Sequence, residues 1–405
     1  MTEQLTARPM ITPEVILGPV QRRDDVNVHH LKDRRTNRAY RLGEREFFVV
    51  SLMDGRHTTD DISDAYAARF GRRLGDGSWR QIFGMLGDRQ LMAGQCDEVA
   101  LDRLRRDGET ISRRRTLLQR RFVLVNPDRH LAALNRRLSW LFSPWFVLPA
   151  VAVAAGLLVF VLVRGGDMVH DFTTVGRWGA LPVSFPVTWL VVALHESAHG
   201  LVCKHFGGTV REIGVLWRFP ILAPFCNTED TRFFRRRRER VFTAFAGVFT
   251  SLLAMLPFSV CWLLAEEGTW WRGTVASIVL FGVAGALLNL TPFLQLDGYH
   301  MVNHALGMDN LRQQSYRYWG WLLWRRRRGE RRAYRAGDHA AYGAYGLATV
   351  AFLATLAWIM IGLWYRQLSG WLGPAGAVAF LAVEAVLITV FVVYARRRAA
   401  ARSAA

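Results

Sequence analysis

The sequence is short of cysteine, of acidic residues and of any apolar run near its start. Its four cysteines include no Cys-x-x-Cys pair, which argues against a disulfide scaffold. Residues 1–45 are polar and charged, so no cleavable signal peptide is expected. The first membrane helix would then have to act as its own insertion signal. No motif typical of nucleic-acid binding is present in the chain.

The shortage of acidic residues leaves a strongly basic chain. Lys and Arg number 52 against 33 Asp and Glu, for a formal net charge of +19. Such a balance is typical of nucleic-acid binding, of a membrane surface or of membrane topology. The arginines stand beside long apolar runs, as in the four-arginine runs 235–238 and 325–328. We therefore predict that the charge reflects membrane topology and contact with anionic lipid, and that the chain binds no nucleic acid.

Hydropathy divides the chain into a charged first part and an apolar remainder. We expect a small module over residues 1–100, a basic linker or helix over 101–137 and a membrane domain over 138–400. The fold class predicted is mainly α, a polytopic helix bundle of about six spans with a winged-helix-like N-terminal module. Each span has roughly the 20 apolar residues that a bilayer requires. The predicted spans are 140–163, 180–204, 241–265, 273–294, 342–365 and 372–394.

The placement of charge predicts the orientation of these spans. Basic residues are concentrated before the first span, after the second, after the fourth and after the last, whereas the intervening loops carry Asp167, Asp171, Glu266 and Glu267. By the positive-inside rule, the basic flanks lie in the cytoplasm. We therefore expect a multi-pass protein of a bacterial inner membrane, with both termini cytoplasmic.

Three short helices are predicted in the N-terminal module. Apolar residues near Phe47 and Phe48 give one helix face, and the turn at Asp54-Gly55 ends it. Thr58-x-x-Asp61 is a capping box that would open the second helix, and Ser78-x-x-Gln81 resembles a second box that would open the third.

The second predicted span carries an unusual group of ionisable residues, His195-Glu196-x-x-His199. Each such group costs about 2.5–3.5 kcal/mol at the centre of a bilayer on insertion scales. Residues four apart lie on one face of a helix, so both imidazoles can reach one metal ion. Zinc accepts two imidazoles with a third protein ligand, and Glu196 would serve as general base toward an attacking water. The alternative is a histidine pair satisfied inside the helix bundle.

Asp297 is the candidate third ligand. It follows the fourth predicted span, at the same cytoplasmic side of the membrane as His195 and His199. Gly298 permits a tight turn beside it. His300 is a rival ligand, and Cys203 lies one turn beyond His199 but is more typical of a buried apolar cysteine.

Together these motifs resemble a known family. The HExxH in one membrane helix, followed by the pattern N-x-x-P-x-x-x-L-D-G over residues 289–298, is similar to the site-2 protease family of intramembrane zinc metalloproteases; the similarity spans about residues 180–300. The resemblance implies that His195, His199 and Asp297 bind Zn²⁺ and that Glu196 is catalytic. It also implies that Asn289 lies near the active site, where it would position the substrate backbone or an oxyanion. A helix-packing hydrogen bond is the alternative for Asn289.

Two features depart from, or add to, this family. The loop after the HExxH helix is too short for the PDZ domain that many members carry. Its residues 210–217 alternate like a hairpin strand, to which a substrate could add by its edge, although we slightly favour a membrane-surface loop. The pattern from Tyr40 to Met92 resembles the PqqD-like domains that hold leader peptides, which implies membership of the PqqD-linked peptide zinc metalloproteases.

The functional prediction is a zinc metalloendopeptidase whose substrate is a peptide or a small membrane protein. Leader removal during maturation of a ribosomally made peptide is favoured, with peptide-modifying enzymes as further partners. One alternative is regulated intramembrane proteolysis of a signalling protein such as an anti-sigma factor. Others are a non-catalytic binding or export accessory protein and, less favoured, an ion transporter that uses the intramembrane His and Asp residues.

Overall fold

A computed structural model describes residues 8–94, 97–113, 119–174, 177–218, 221–325 and 334–404. The chain is mainly helical, at 70%, with a small amount of sheet. Its internal contacts divide it into two compact units, the first formed chiefly by residues 1–314 and the second by the remainder.

The N-terminal part of the first unit combines an antiparallel sheet with three helices. The strands are β1 Val15–Leu17, β2 Gln21–Arg23, β3 Val26–Asp33 and β4 Arg38–Gly43, and the helices are α1 Glu44–Ser51, α2 Thr59–Phe70 and α3 Asp76–Asp88. Strand β3 is central, because β1 and β4 both pair with its residues 31–33 and must lie on opposite sides of it. Strand β2 pairs with the start of β3.

The three predicted helices are present, and one of the two predicted starts is wrong. Thr58 and Asp61 form the reciprocal capping box that opens α2. Helix α3 begins at Asp76 after Gly75, so Ser78 lies inside the helix and does not cap it. The hydrophobic face of α3 packs against β3, β4 and the other two helices and forms a core with them. Leu31, Ile62 and Leu86 are fully buried in this core.

A second, three-stranded sheet joins the linker to the loop after the HExxH helix. After α4 (Glu98–Arg113), strand β5 (Gln119–Val125) pairs with β6 (Ile213–Arg218), and β6 pairs with β7 (Ile221–Cys226). The hairpin alternative is therefore confirmed, and the preferred surface loop over 210–217 is wrong. Because β6 is paired along both edges, it cannot be the strand to which a substrate adds.

The remaining elements are helices. In the first unit they are α5 Asp128–Arg137, α6 Pro144–Thr174, α7 Arg177–His205, α8 Arg237–Ala254, α9 Leu256–Leu264, α10 Trp270–Asn289 and α11 Asp297–Leu306. Helix α12, Leu311–Gly320, begins at the end of the first unit, and α13, Ala336–Ala404, makes up most of the second.

Within the described residues, four helical segments are long and apolar enough to cross a membrane. They are Pro144–Thr174, Arg237–Leu264, Trp270–Asn289 and Ala336–Phe391. Helix α7 is not among these four segments. The fifth and sixth predicted spans both fall within α13, whose backbone is non-helical at Gly373, with φ 71° and ψ 166°.

The N-terminal sheet is joined to the helical part of the first unit by a buried ion pair. The Lys32 ammonium on β3 bonds to the carboxylate of Asp230, and the two side chains are only 6% and 4% exposed. Asp230 also accepts hydrogen bonds from the backbone and hydroxyl of Thr209. A second contact joins Arg22 of β2 to Gly307 and Asp309, which follow α11.

Removal of the ammonium should loosen this attachment. In the variant Lys32→Met, Asp230 is left buried without its cation, which typically costs about 3–5 kcal/mol. We expect faster amide hydrogen exchange at Thr209 and across residues 228–233. The variant Arg73→Met is a control, because its partner Asp60 is 63% exposed and such surface pairs contribute little. Equal protection in Lys32→Met and the wild type would contradict the role given to the pair.

The same pair should be acid-sensitive. Burial opposes ionisation of Asp230, but Lys32 and the bonds from Thr209 outweigh it and hold its pKa below the ordinary 3.8. A depressed carboxylate pKa gives stability that is present above 3.8 and is lost as the pH falls through the folded value. We therefore expect the difference in exchange between wild type and Lys32→Met to be constant above pH 5 and to shrink below about pH 4. A difference that persists at the lowest accessible pH would contradict it.

Candidate metal centre

Helix α7 brings the two histidines of the HExxH motif together. Their Nε2 atoms lie 3.2 Å apart, and both side chains are buried. Asp297, the first residue of α11, approaches the same point, with Oδ2 2.9 Å from His195 Nε2 and Oδ1 3.4 Å from His199 Nε2. The ligand atoms of these three residues all lie within 4.8 Å of one another, so the three could hold a metal ion.

Helix α8 fixes the orientation of both imidazoles from behind. His199 Nδ1 lies 2.7 Å from the Thr243 carbonyl oxygen, which can only accept, so the proton of a neutral His199 resides on Nδ1. His195 Nδ1 lies 3.0 Å from the Ser251 hydroxyl. Such outer hydrogen bonds are typical of metal-binding histidines, because they set the tautomer and leave the Nε2 lone pair free to bind.

When both Nε2 atoms are unprotonated, these atoms and the Asp297 carboxylate are acceptors that face one another. Although Asp297 Oδ2 is close to His195 Nε2, it is buried and has no hydrogen-bond partner in the described chain. Two ligand atoms at about 2.0–2.1 Å from a tetrahedral ion are roughly 3.3 Å apart, close to the 3.2 and 3.4 Å found here. Spacing, tautomer and the orphaned carboxylate oxygen all fit a bound cation.

Two glycines make this approach possible. A Cβ at Gly247 of α8 would overlap the Nε2 atoms of both His195 and His199, so only glycine fits against these ligand atoms. A Cβ at Gly298 would collide with the Leu290 carbonyl oxygen, so glycine lets α11 begin tightly against the end of α10. The sequence motif indicated Gly298. Gly247 carries no local signal, since its requirement arises from packing between helices.

Glu196 lies beside the three ligands and is oriented by the second sheet. Its Oε2 accepts a hydrogen bond of 3.0 Å from the backbone N–H of Cys226, the last residue of β7. It is close enough to His195, His199 and Asp297 to interact electrostatically with each of them. Cys226, like Thr243 and Ser251, escaped sequence reasoning because no local pattern marks an outer contact.

The other candidates lie outside the trio. Asn289 is the last residue of α10 and is half-buried, and its predicted catalytic role stays a prediction. His300 lies on α11, is exposed and does not join the ligand group among the described residues. Cys203 is fully buried beside Leu131 and Val210, as expected for an apolar cysteine. Comparison of the chain with protein-family models, with curated proteins and with solved structures gave no match.

Gly247→Ala should damage the metal centre more than it damages the fold. The new methyl group overlaps the Nε2 atoms that would bind the metal. We expect the bound metal per chain to fall at least tenfold, as it typically does when the support of a ligand is lost. Elemental mass spectrometry of purified protein measures this. Gly285→Ala on α10 is the matched control, because a Cβ there meets nothing within 4 Å. Equal metal content in the two variants would contradict the packing argument.

Proposed function

We propose that the protein is an intramembrane zinc metalloendopeptidase of the site-2 protease type. The observation that carries the proposal is the buried convergence of His195 Nε2, His199 Nε2 and the Asp297 carboxylate, with Glu196 alongside. A purely metal-binding or accessory protein would need the three ligands but not the adjacent carboxylate. Two imidazoles and one carboxylate suit zinc among the common divalent ions.

The residues around the ion have separable roles in peptide hydrolysis. Bound zinc would supply Lewis acidity, which activates water near neutral pH and polarises the scissile carbonyl group. Glu196 accepts the proton of the attacking water and donates it to the amine that leaves. The hydrogen bond from the Cys226 N–H holds Oε2 of Glu196 in place. The other carboxylate oxygen is then available to accept the proton of the water. Asn289 is proposed to hold the substrate backbone or the developing oxyanion.

The second sheet offers an edge along which the substrate can extend. The N–H of Asn227 donates to the Glu212 carbonyl, which makes these two residues a hydrogen-bonded pair of the antiparallel sheet. The backbone N–H and C=O groups of residues 223 and 225 therefore point toward β6, and those of residues 222, 224 and 226 point away from it. The outward edge of β7 therefore includes the Cys226 N–H that contacts Glu196. Pro224, which cannot donate a ladder bond, stands on this edge. A substrate strand along β7 would present its peptide bonds beside Glu196.

We propose that the chain crosses the membrane six times, with both termini in the cytoplasm. In this arrangement α7 is the second span despite its ionisable residues, whose cost the metal offsets, and the break at Gly373 separates the fifth span from the sixth. The basic loops support the orientation.

The N-terminal module is proposed to recruit the substrate, as its resemblance to PqqD-like domains implies. Among the described residues, strand β4 pairs with β3 along one edge, so its other edge can accept a peptide strand. The module is fastened through Asp230, four residues after the Cys226 that contacts Glu196. Removal of a leader from a ribosomally made peptide is the favoured reaction, because the chain then carries its own leader-binding module next to its hydrolytic centre.

Glu196→Gln should retain the metal and abolish hydrolysis. The amide keeps the shape of the carboxylate but cannot accept a proton, which typically costs 10²–10⁴-fold in rate. Peptides that accumulate in membranes of cells producing Glu196→Gln, but not the wild type, are measured by mass spectrometry. Glu266→Gln, at an exposed position, is the control. Continued turnover by a metal-loaded Glu196→Gln protein would rule out Glu196 as the general base.

Asn289→Ala separates its two proposed roles. If the amide stabilises the oxyanion, the turnover rate of an identified substrate should fall about 10²–10³-fold with metal content unchanged. If it serves only helix packing, thermal stability should fall while the turnover rate of the folded protein stays normal.

A further inference from the structure

An apolar groove runs beside the metal centre without being part of it. It has a volume of about 850 Å³ and opens between α6, α7 and α8. Its walls include Val151 of α6, Leu201 of α7, and Phe245 and Leu253 of α8. Ala198 and Ala246 also line it, and they adjoin His199 and Gly247 in the chain. Whatever fills this groove therefore borders the ligands.

A second, polar cavity lies at one end of the groove. Its volume is about 520 Å³. Its lining comes from the N-terminal module, from the segment around Asp230 and from the start of α8. Phe206, Arg236 and Glu239 line both spaces, so the two cavities adjoin one another. An apolar channel that opens into a polar chamber is the shape of a site for an amphiphile.

The charge in the polar cavity is positive. Of its two acidic residues, Asp230 is neutralised by Lys32 and Glu239 pairs with Arg236. Arg34 and Arg235 also line it, and neither forms an ion pair among the described residues. Two uncompensated guanidinium groups in one chamber are complementary to a phosphate.

Aromatic residues cluster near the start of α6, beside the groove. Trp140 and Trp145, just before and within the first turn of α6, are 56% and 91% exposed, and Phe142 of the groove stacks on His205 at 4.0 Å. Tryptophan and arginine together are typical of the headgroup layer of a membrane. The groove therefore extends from this layer toward the apolar interior.

A lipid chain suits the groove better than an extended peptide does. An extended peptide in so apolar a space would leave its backbone N–H and C=O groups without partners, at a cost of several kcal/mol for each. An acyl chain has no such groups. The arginines at the end then select the headgroup.

We infer that this is a binding site for one anionic phospholipid, with its acyl chains between α6, α7 and α8 and its phosphate held by Arg34 and Arg235. Because Arg34 belongs to the N-terminal module and Arg235 to the membrane domain, the lipid bridges the two parts of the first unit. The inference rests on the proposed membrane embedding, but not on zinc binding or on proteolysis.

The test measures lipid binding to the full chain in detergent after delipidation. Phosphatidylglycerol and phosphatidylcholine of identical chain length are titrated, and bound lipid is counted by native mass spectrometry. We expect one tightly held phosphatidylglycerol. Each basic residue near a membrane surface contributes about 1 kcal/mol, or roughly fivefold, so R34A/R235A should weaken binding about 25-fold. Val151→Trp, which fills the groove, should weaken both lipids.

The control R72A/R103A removes the same charge from exposed positions outside both cavities and should leave binding unchanged. Equal affinity for the two lipids would overturn the headgroup assignment. Unchanged binding in R34A/R235A or in Val151→Trp would overturn the site, and so would a co-purified peptide that occupies the groove in place of lipid. Metal content, measured on the same samples, keeps these outcomes separate from any failure of the zinc centre.

Discussion

Three groups with lone pairs meet at one buried point of the first unit, an arrangement that a positive charge between them would stabilise. They are two imidazole nitrogens and one carboxylate, held within 4.8 Å of one another. In the absence of positive charge this arrangement is unfavourable, because buried acceptors need donors. Helix α8 nevertheless holds both imidazoles there, through the Thr243 carbonyl and the Ser251 hydroxyl at the Nδ1 atoms and through Gly247, which leaves room beside the Nε2 atoms. These three residues are therefore a group that could hold a metal ion.

The part of this centre that lies in one helix could be predicted from the sequence. His195 and His199 follow from the helical period alone, and the capping box of Thr58 and Asp61 is equally local. Asp297 could be predicted from the expected membrane topology, in which it lies on the same side as the histidines, and the structure does bring the three residues together. These predictions succeed because each depends on spacing along the chain.

What escaped prediction depends on contacts between distant segments. Gly247 is required only because α8 crosses α7 closely, and Cys226 matters only because β7 ends beside Glu196. The short strands β1 to β4 have too few residues for a clear alternation, and β5 is defined by its pairing with β6. The start of α3 failed for another reason: Gly75 and Asp76 already begin the helix before Ser78 can cap it.

The N-terminal module contacts segments that lie close in sequence to the residues of the candidate metal centre. Lys32 reaches Asp230 beyond the strand that orients Glu196, and Arg22 pairs with the residues that follow α11, the helix that begins with Asp297. The module thus contacts both segments that carry the machinery of the proposed reaction. The most direct test of the account is the metal content of purified wild type and Asp297→Ala, with the exposed Asp88→Ala as control. The account predicts about one zinc per chain in the wild type and the control, and its loss in Asp297→Ala; a well-folded wild type without metal would contradict it.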